Sequence, residues 1–166
     1  MCPTRVQIPA PALLTALESG RVDAATLIHA QAFKAIKTGN YRALAYTNRD
    51  IKKLFGVNAV AAVNVTYPEK LKAKPAVFKE FNRMLRESAL YAMKNADKVG
   101  AAIAKDSKMS PEFFKAWLTE YSSFPAAVSD GDMKSMEVVW QNAKEMGILK
   151  KYPNAADVVW KDAIRE

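Results

Sequence analysis

Residues 13–28, LLTALESGRVDAATLI, constrain the fold of this chain more than any other stretch. Their leucines recur at the spacing of one helical face, and Pro11 suits the first turn of that helix. Gly20 suits the left-handed residue that ends a helix. Residues 22–28 are then almost all apolar, which is typical of a parallel strand covered on both faces. The stretch therefore predicts a helix that leads into a buried parallel strand.

The remaining apolar runs extend this pattern along the chain. Short runs favour strands at residues 5–8, 41–46 and 59–65, with short helices at 30–38 and 50–55. Beyond residue 65 the pattern is helical. Helices are predicted at residues 68–71, 75–95 and 97–105, from Ser110, from Ser129 to Gly147, and from residue 154 or 155. We therefore predict an α/β fold, with a short strand–helix–strand portion followed by a mainly helical C-terminal part.

The composition is that of an ordinary globular protein. Half of the 166 residues are apolar and a quarter are charged, and this length supplies the core of one domain. No apolar run approaches the ~20 residues that span a bilayer, and the first residues do not resemble a signal peptide. Cys2 is the single cysteine, so we expect an exposed thiol without a disulfide or a metal cluster.

The formal charge of +8 makes a nucleic-acid binder an alternative to consider. The lysines are spread along the chain, and their local concentration at residues 70–79 lies beside Glu69 and Glu80. No arginine-rich run, aromatic platform or zinc-finger spacing accompanies them. We therefore expect solvated helix faces and no nucleic-acid partner, whereas a steeply salt-dependent affinity for DNA would support the alternative.

The residues needed for catalysis are not grouped in this sequence. His29 is the only histidine, so neither a histidine metal pair nor a Ser–His–Asp or Cys–His arrangement is evident. Asp130 and Asp132 suit the capping of a helix. No glycine-rich phosphate loop follows a strand. We predict a protein that is not an enzyme and that uses no cofactor and no metal.

The first predicted ligand-binding group follows the strand of residues 22–28. Ligands of open α/β sheets bind at the carboxyl ends of strands, which here brings Thr26, His29 and Gln31 to the site. Backbone N–H groups at the start of the next helix suit an anion, and His29 and Gln31 add donors. An ordinary helix-start residue remains the alternative for His29.

The second predicted group follows the next two strands. It consists of Tyr46, Asn48, Arg49, Asn64 and Thr66. An arginine suits a carboxylate or a sulfonate because it binds both oxygens, and a tyrosine ring can stack on an aromatic ligand. The alternatives stay open, since asparagine and threonine routinely cap turns and a tyrosine can be buried in a sheet.

The order of motifs along the chain resembles one protein family. ALESGRVDAA resembles the A-L-x-x-G-x-V-D-A-A segment of ABC-importer solute-binding proteins. A helix ending at Gly39, the run YRALAY, and residues 65–67 leading to Lys74-Pro75 follow in the family's order. The closest group is the nitrate/sulfonate/taurine and thiamine-precursor branch of the type II periplasmic binding proteins.

This resemblance implies a periplasmic protein whose two lobes close over a small solute and pass it to ABC permease subunits. It matches only the C-terminal half of such a protein, so we expect a truncated product or a fragment with a partial type II fold. Residues 1–45 would be a remnant of the second lobe, and residues 46–166 the crossover and helical part of the first. The residues after VDAA would face the cleft, although His29-Ala30-Gln31 replaces the acidic residue or proline of many relatives.

The resemblance leaves the ligand class broad. We expect a small organic or anionic solute such as a sulfonate, nitrate or a pyrimidine-type compound. Helix faces left uncovered by a missing lobe are expected to self-associate. The alternative is a non-enzymatic dimerising interaction or sensor module that reuses the half-fold.

Overall fold

The structure, a computed structural model, describes residues 4–166, and the predicted exposed thiol of Cys2 lies outside this range. The described chain is 58% helical. A 3₁₀ turn at Ala10–Ala12 precedes the first helix, and a π-helical turn occupies Trp117–Tyr121. The α-helices are α1 (Leu13–Glu18), α2 (His29–Lys37), α3 (Thr47–Phe55), α4 (Pro68–Ala73), α5 (Pro75–Lys94), α6 (Ala96–Asp106), α7 (Pro111–Ala116), α8 (Asp130–Glu145) and α9 (Ala155–Val158). None of the helices in residues 4–166 is long and apolar enough to cross a membrane.

The predicted α/β fold is wrong, because the structure contains no sheet in its described part. Residues 5–8, 22–28, 41–46 and 59–65 were predicted to be strands, but they run as irregular segments. The β-type pairing found within residues 4–166 is an isolated parallel bridge between Val128 and Arg165. The chain is therefore mostly helical, and the strand–helix–strand portion of the prediction does not form.

The missing pairing partners explain this error. A strand is stable only when a neighbouring strand satisfies its backbone groups and its apolar side chains are covered. Val63 and Val65 are instead 58% and 87% exposed. The backbone N–H of Val60 is 3.4 Å from the Ser135 hydroxyl oxygen in α8, which accepts its hydrogen bond in place of a strand carbonyl. An apolar run of strand length thus proved insufficient to specify a strand.

Most predicted helix starts, by contrast, lie within one or two residues of those observed, although α3 begins at Thr47 instead of residue 50 and the last helix, α9, spans only Ala155–Val158. Proline opens α5 and α7 as expected, and the Ser110 hydroxyl caps α7 by accepting from the Phe113 N–H. Gly20, Gly39, Gly56 and Gly147 all follow helices and have φ angles between 68° and 76°. Residues other than glycine rarely adopt this left-handed backbone conformation. These glycines therefore end their helices because they lack a Cβ atom.

The described chain forms two compact units. The first contains the residues up to Leu44 together with Asp97–Trp117. Its core is a cluster of aromatic rings from α2, α7 and the residue after α7. Neighbouring ring centroids lie 5.1 to 6.5 Å apart in the pairs formed by Phe33, Phe113, Phe114 and Trp117. A Cβ at Gly100 would lie 3.0 Å from the Pro111 carbonyl oxygen, so glycine is what allows α6 to approach α7 so closely.

The second unit contains Ala45–Ala96 and Leu118–Glu166, and hydrogen bonds join distant parts of it. The Arg86 guanidinium donates to the Pro125 carbonyl oxygen at 3.1 Å and to the Glu166 carboxylate at 2.9 Å. The Val128 N–H donates to the Ile164 carbonyl oxygen at 2.8 Å. These bonds tie the C-terminal residues to α5 and to the segment before α8. The predicted lobe boundary at residue 45 stays a prediction.

We expect the capping box of α8 to contribute to stability. The Asp132 N–H donates to the Ser129 hydroxyl at 3.1 Å, and the Ser129 N–H donates to the Asp132 carboxylate at 2.9 Å. Ser129→Ala should lower the free energy of unfolding by about 1 kcal/mol, measured by urea denaturation. Ser123→Ala, at an exposed non-helical position, is the matched control and should change it by less than about 0.5 kcal/mol. Equal effects of the two substitutions would contradict a role for the cap.

Candidate functional site

A concave surface lies in the first unit, at the C-terminal end of α2. It is an open groove of about 450 Å³ between the last turns of α2 and the segment that leads into α7. The lining residues are Phe33, Lys34, Lys37, Thr38, Lys108, Met109 and Ser110. Phe33 and Met109 are half-buried and supply an apolar wall, whereas the three lysines are exposed.

The helical spacing explains how α2 presents two of the lysines together. Lys34 and Lys37 are three residues apart, so they lie on the same face. Both belong to the last turn of α2, where a cation also offsets the partial negative charge of the helix end. Phe33 precedes Lys34 and packs against Phe113 with its ring centroid 5.4 Å away. The aromatic core therefore holds the end of α2 that carries the lysines.

The electrostatics of the groove are dominated by its ammonium groups. Within the described chain, none of Lys34, Lys37 and Lys108 forms a salt bridge. The Lys37 Nζ lies over the Phe33 ring, 5.6 Å from its centroid. The hydroxyl of Thr38 donates to the Ala35 carbonyl at 2.7 Å and accepts from the Asn40 N–H at 3.1 Å. A ligand in the groove would therefore contact mainly ammonium groups and the apolar wall, because the Thr38 hydroxyl is already hydrogen-bonded to the backbone.

The carboxylate of Glu112 interacts electrostatically with Lys37, one of the lysines that line this groove. Hydrogen bonding from the Ser110 side chain, together with a backbone hydrogen bond and the charge of Lys37, holds the pKa of Glu112 below its usual value. Glu112 therefore stays ionised at neutral pH and partly offsets the positive charge of Lys37. An anionic ligand at the lysines would therefore also be repelled by the negative charge of Glu112.

The first predicted site group lies on α2 and just before it, at the opposite end from the groove. His29 and Gln31 occupy the first turn, and Thr26 is exposed in the preceding segment. His29 has a φ of 45°, and its ring centroid lies 5.4 Å from that of Trp117. The Gln31 side-chain nitrogen donates to the Ala10 carbonyl at 2.8 Å, while its buried oxygen accepts no hydrogen bond within residues 4–166.

The second predicted group lies in the second unit. Tyr46 and Arg49 are brought together, with the guanidinium carbon 4.4 Å from the centroid of the tyrosine ring. The Asn48 side-chain oxygen accepts from the Arg49 N–H at 3.0 Å. Asn64 and Thr66 are exposed on an irregular segment. These residues stay predicted contacts, but the argument that strand ends bring them to one sheet edge fails because the described chain has no sheet.

The lysine groove was not predicted from the sequence, although a signal for it exists. Lys34 and Lys37 lie less than three helical turns after His29 of the first predicted group. The distance along the helix axis from His29 to Lys37 is about 12 Å. Two lysines at helical spacing beside an inward-facing phenylalanine are a pattern that indicates a cationic site at this end of α2. Lys108 could not have been added, because only the packing of α7 on α2 brings residues 108–110 beside it.

No family model, characterised protein or solved structure matches this chain. Within residues 4–166 there is also no group of three or more histidine, cysteine, aspartate or glutamate side chains that could hold a metal ion. The lysine groove therefore has to be interpreted from its own geometry. Its cations and aromatic wall suit a small organic anion, with the charged group at the lysines and the apolar part on Phe33 and Met109.

We expect the Glu112 pKa to depend mainly on Ser110. Since the folded-state pKa is lowered, the ionised carboxylate stabilises the fold at neutral pH, and this contribution is lost as the pH falls through the lowered pKa. Ser110→Ala should raise the Glu112 pKa more than Lys37→Met does, as measured by NMR titration of the side-chain carboxyl carbon. Ser110→Thr keeps a hydroxyl and should leave the pKa low. A larger shift in Lys37→Met would show that charge, not hydrogen bonding, is the main cause.

Proposed function

We propose that this chain binds a small organic anion in the lysine groove, as the solute-binding component of an importer or a part of one. The observation that carries the binding proposal is that three lysines, Lys34, Lys37 and Lys108, line one groove without salt-bridge partners among residues 4–166. The importer role, a periplasmic location and delivery to permease subunits come from the family resemblance of the sequence. The role that we propose is binding and transport of a solute, without catalysis.

The chemistry of the groove narrows the solutes that the sequence left open. A sulfonate or carboxylate gains from each ammonium group it contacts, and an aromatic or aliphatic body gains from covering Phe33 and Met109. Nitrate has the charge but no apolar body, and a neutral pyrimidine has a ring but no charge. We therefore expect arenesulfonates and arenecarboxylates to bind more tightly than either of these.

The test is isothermal titration calorimetry of the full chain at low ionic strength with benzenesulfonate, taurine, nitrate and uracil. Benzenesulfonate should bind best, and its affinity should fall as salt is added, because exposed charges are screened. An exposed ammonium–anion contact in water is worth about 1 kcal/mol. Lys34→Met combined with Lys37→Met should therefore weaken benzenesulfonate binding by about tenfold or more.

A matched control is available in α3. Lys52 and Lys53 also lie in the last turn of a helix, so Lys52→Met combined with Lys53→Met changes the net charge equally. This control should alter benzenesulfonate affinity by less than twofold. Equal losses in the two double variants would show that the anion is attracted by net charge alone and would overturn the proposed site. A loss on Arg49→Ala, with the lysine variants unaffected, would instead place binding at the second predicted group.

A further inference from the structure

Helix α3 is a short helix that the described chain leaves largely uncovered. It spans Thr47–Phe55, and none of its nine residues is buried. Isolated helices of this length gain too little from their own hydrogen bonds to be stable in water, so they depend on the packing of an apolar face. Residues 4–166 therefore supply only part of the cover that would stabilise α3.

One face of α3 is apolar and open. Ile51, Leu54 and Phe55 lie on it together, because Ile51 precedes the other two by three and four residues. Leu54 and Phe55 are 73% and 42% exposed, and Ile51 is half-buried. These three residues are called the apolar face of α3 below.

The opposite face of α3 is cationic. Arg49, Lys52 and Lys53 repeat the spacing of the apolar face two residues earlier, which is a rotation of about 200° around the helix. All three are exposed, and in the part of the chain that the structure describes none of them forms a salt bridge. Asp50 is the one acidic residue of the helix, so cations outnumber carboxylates by three to one.

A bilayer surface that contains anionic lipid is complementary to both faces. Its negative headgroups lie directly above an apolar layer, so a basic amphipathic helix can lie in the surface with its apolar side chains inserted. A helix is about 10 Å wide, which is close to the Debye length in ordinary buffers, so cations on the outer face still interact with the headgroups. Nucleic acid would pair with the cations but would leave Leu54 in water.

We propose that α3 docks on the headgroup region of a bilayer that contains an anionic lipid such as phosphatidylglycerol. The apolar face inserts below the headgroups, and the cations attract the lipid phosphates. Nine helical residues extend about 14 Å, less than half of the bilayer core, so α3 lies on the surface and does not span it. This attachment does not depend on anion binding in the groove, although in the proposed importer it would hold the protein at the membrane that contains the permease.

The first test is cosedimentation of the full chain with vesicles at low ionic strength, without solute. Vesicles of equimolar phosphatidylcholine and phosphatidylglycerol (mixed vesicles) should bind the chain at least tenfold more tightly than vesicles of phosphatidylcholine alone. Added salt should weaken this binding, because the headgroup charge is screened. Equal binding to the two kinds of vesicle would overturn the proposal, as would the absence of binding to both.

The cationic face is tested by Lys52→Gln combined with Lys53→Gln. A lysine near an anionic surface strengthens binding about fivefold, so this double variant should bind mixed vesicles at least tenfold more weakly. The matched control is Lys34→Gln combined with Lys37→Gln, which removes the same charge from the end of α2 and should weaken binding by less than about threefold. Equal losses would show that the vesicles attract net charge alone. Because the groove lysines carry the solute proposal and the α3 lysines carry this one, the two proposals fail in different variants.

The acidic residue of α3 gives a test with the opposite sign. Asp50→Asn should strengthen binding to mixed vesicles about fivefold, because it removes the one carboxylate that the headgroups repel. A role limited to the stability of the helix predicts the reverse, since an acid in the first turn stabilises a helix. Unchanged or weaker binding would contradict an electrostatic contact through α3.

The apolar face is tested by Leu54→Ser, which should weaken binding to mixed vesicles at least tenfold. Leu90→Ser is the matched control, because it makes the same change at an exposed position of another helix, α5. This control should leave the affinity unchanged within about twofold. Equal weakening by the two substitutions would show that insertion does not use α3. Circular dichroism without vesicles checks that each variant keeps its helix content.

Insertion itself is measured with a polarity-sensitive fluorophore on Leu54→Cys in a Cys2→Ser background. Its emission should shift to the blue with mixed vesicles and stay unchanged with double-stranded DNA, whereas a label on Leu90→Cys should not shift with either. A label at residue 54 that stays in water, or tighter binding to DNA than to mixed vesicles, would show recognition of phosphate charge without insertion and would overturn the proposal. A shift that appears without vesicles as the protein concentration rises would show that a second copy of the chain covers the face instead.

Discussion

The packed rings of Phe33, Phe113, Phe114 and Trp117 are the contact on which the first unit depends. They hold α2 against α7, and the absence of a side chain at Gly100 lets α6 approach α7. Phe33 belongs both to this cluster and to the wall of the lysine groove. The groove is thus an edge of the core, and its shape follows from the packing that stabilises the unit.

The two surfaces that we interpret rely on partly different physics. The lysine groove is electrostatic, so its affinity for an anion should depend on salt and on the charge of Glu112. Helix α3 adds the burial of apolar side chains, which salt weakens little, to the attraction between its cations and anionic lipid. The two surfaces also belong to different units, the groove to the first and α3 to the second. Solute binding and membrane binding are therefore separable properties, each with substitutions that leave the other surface intact.

Local signals in the sequence predicted the helices of this protein well. Pro75 and Pro111 at helix starts, Ser129 as a cap and Gly147 as a stop all act within one or two turns, so they need no distant partner. The predicted site was less complete. Tyr46 and Arg49 are neighbours in sequence and in space, whereas Lys108 reaches the groove only through the packing of α7.

By itself, the sequence determined where helices begin and end, which helix faces are apolar, and that the chain is strongly cationic. Only the tertiary structure decided that the apolar runs at 22–28 and 59–65 do not form strands. A strand is stable only if other strands pair with it, and pairing depends on the whole chain. The tertiary structure also decided that Lys34, Lys37 and Lys108 share one groove, and that α3 keeps much of its apolar face exposed. Periodicity can mark an apolar face, but it cannot say what covers that face.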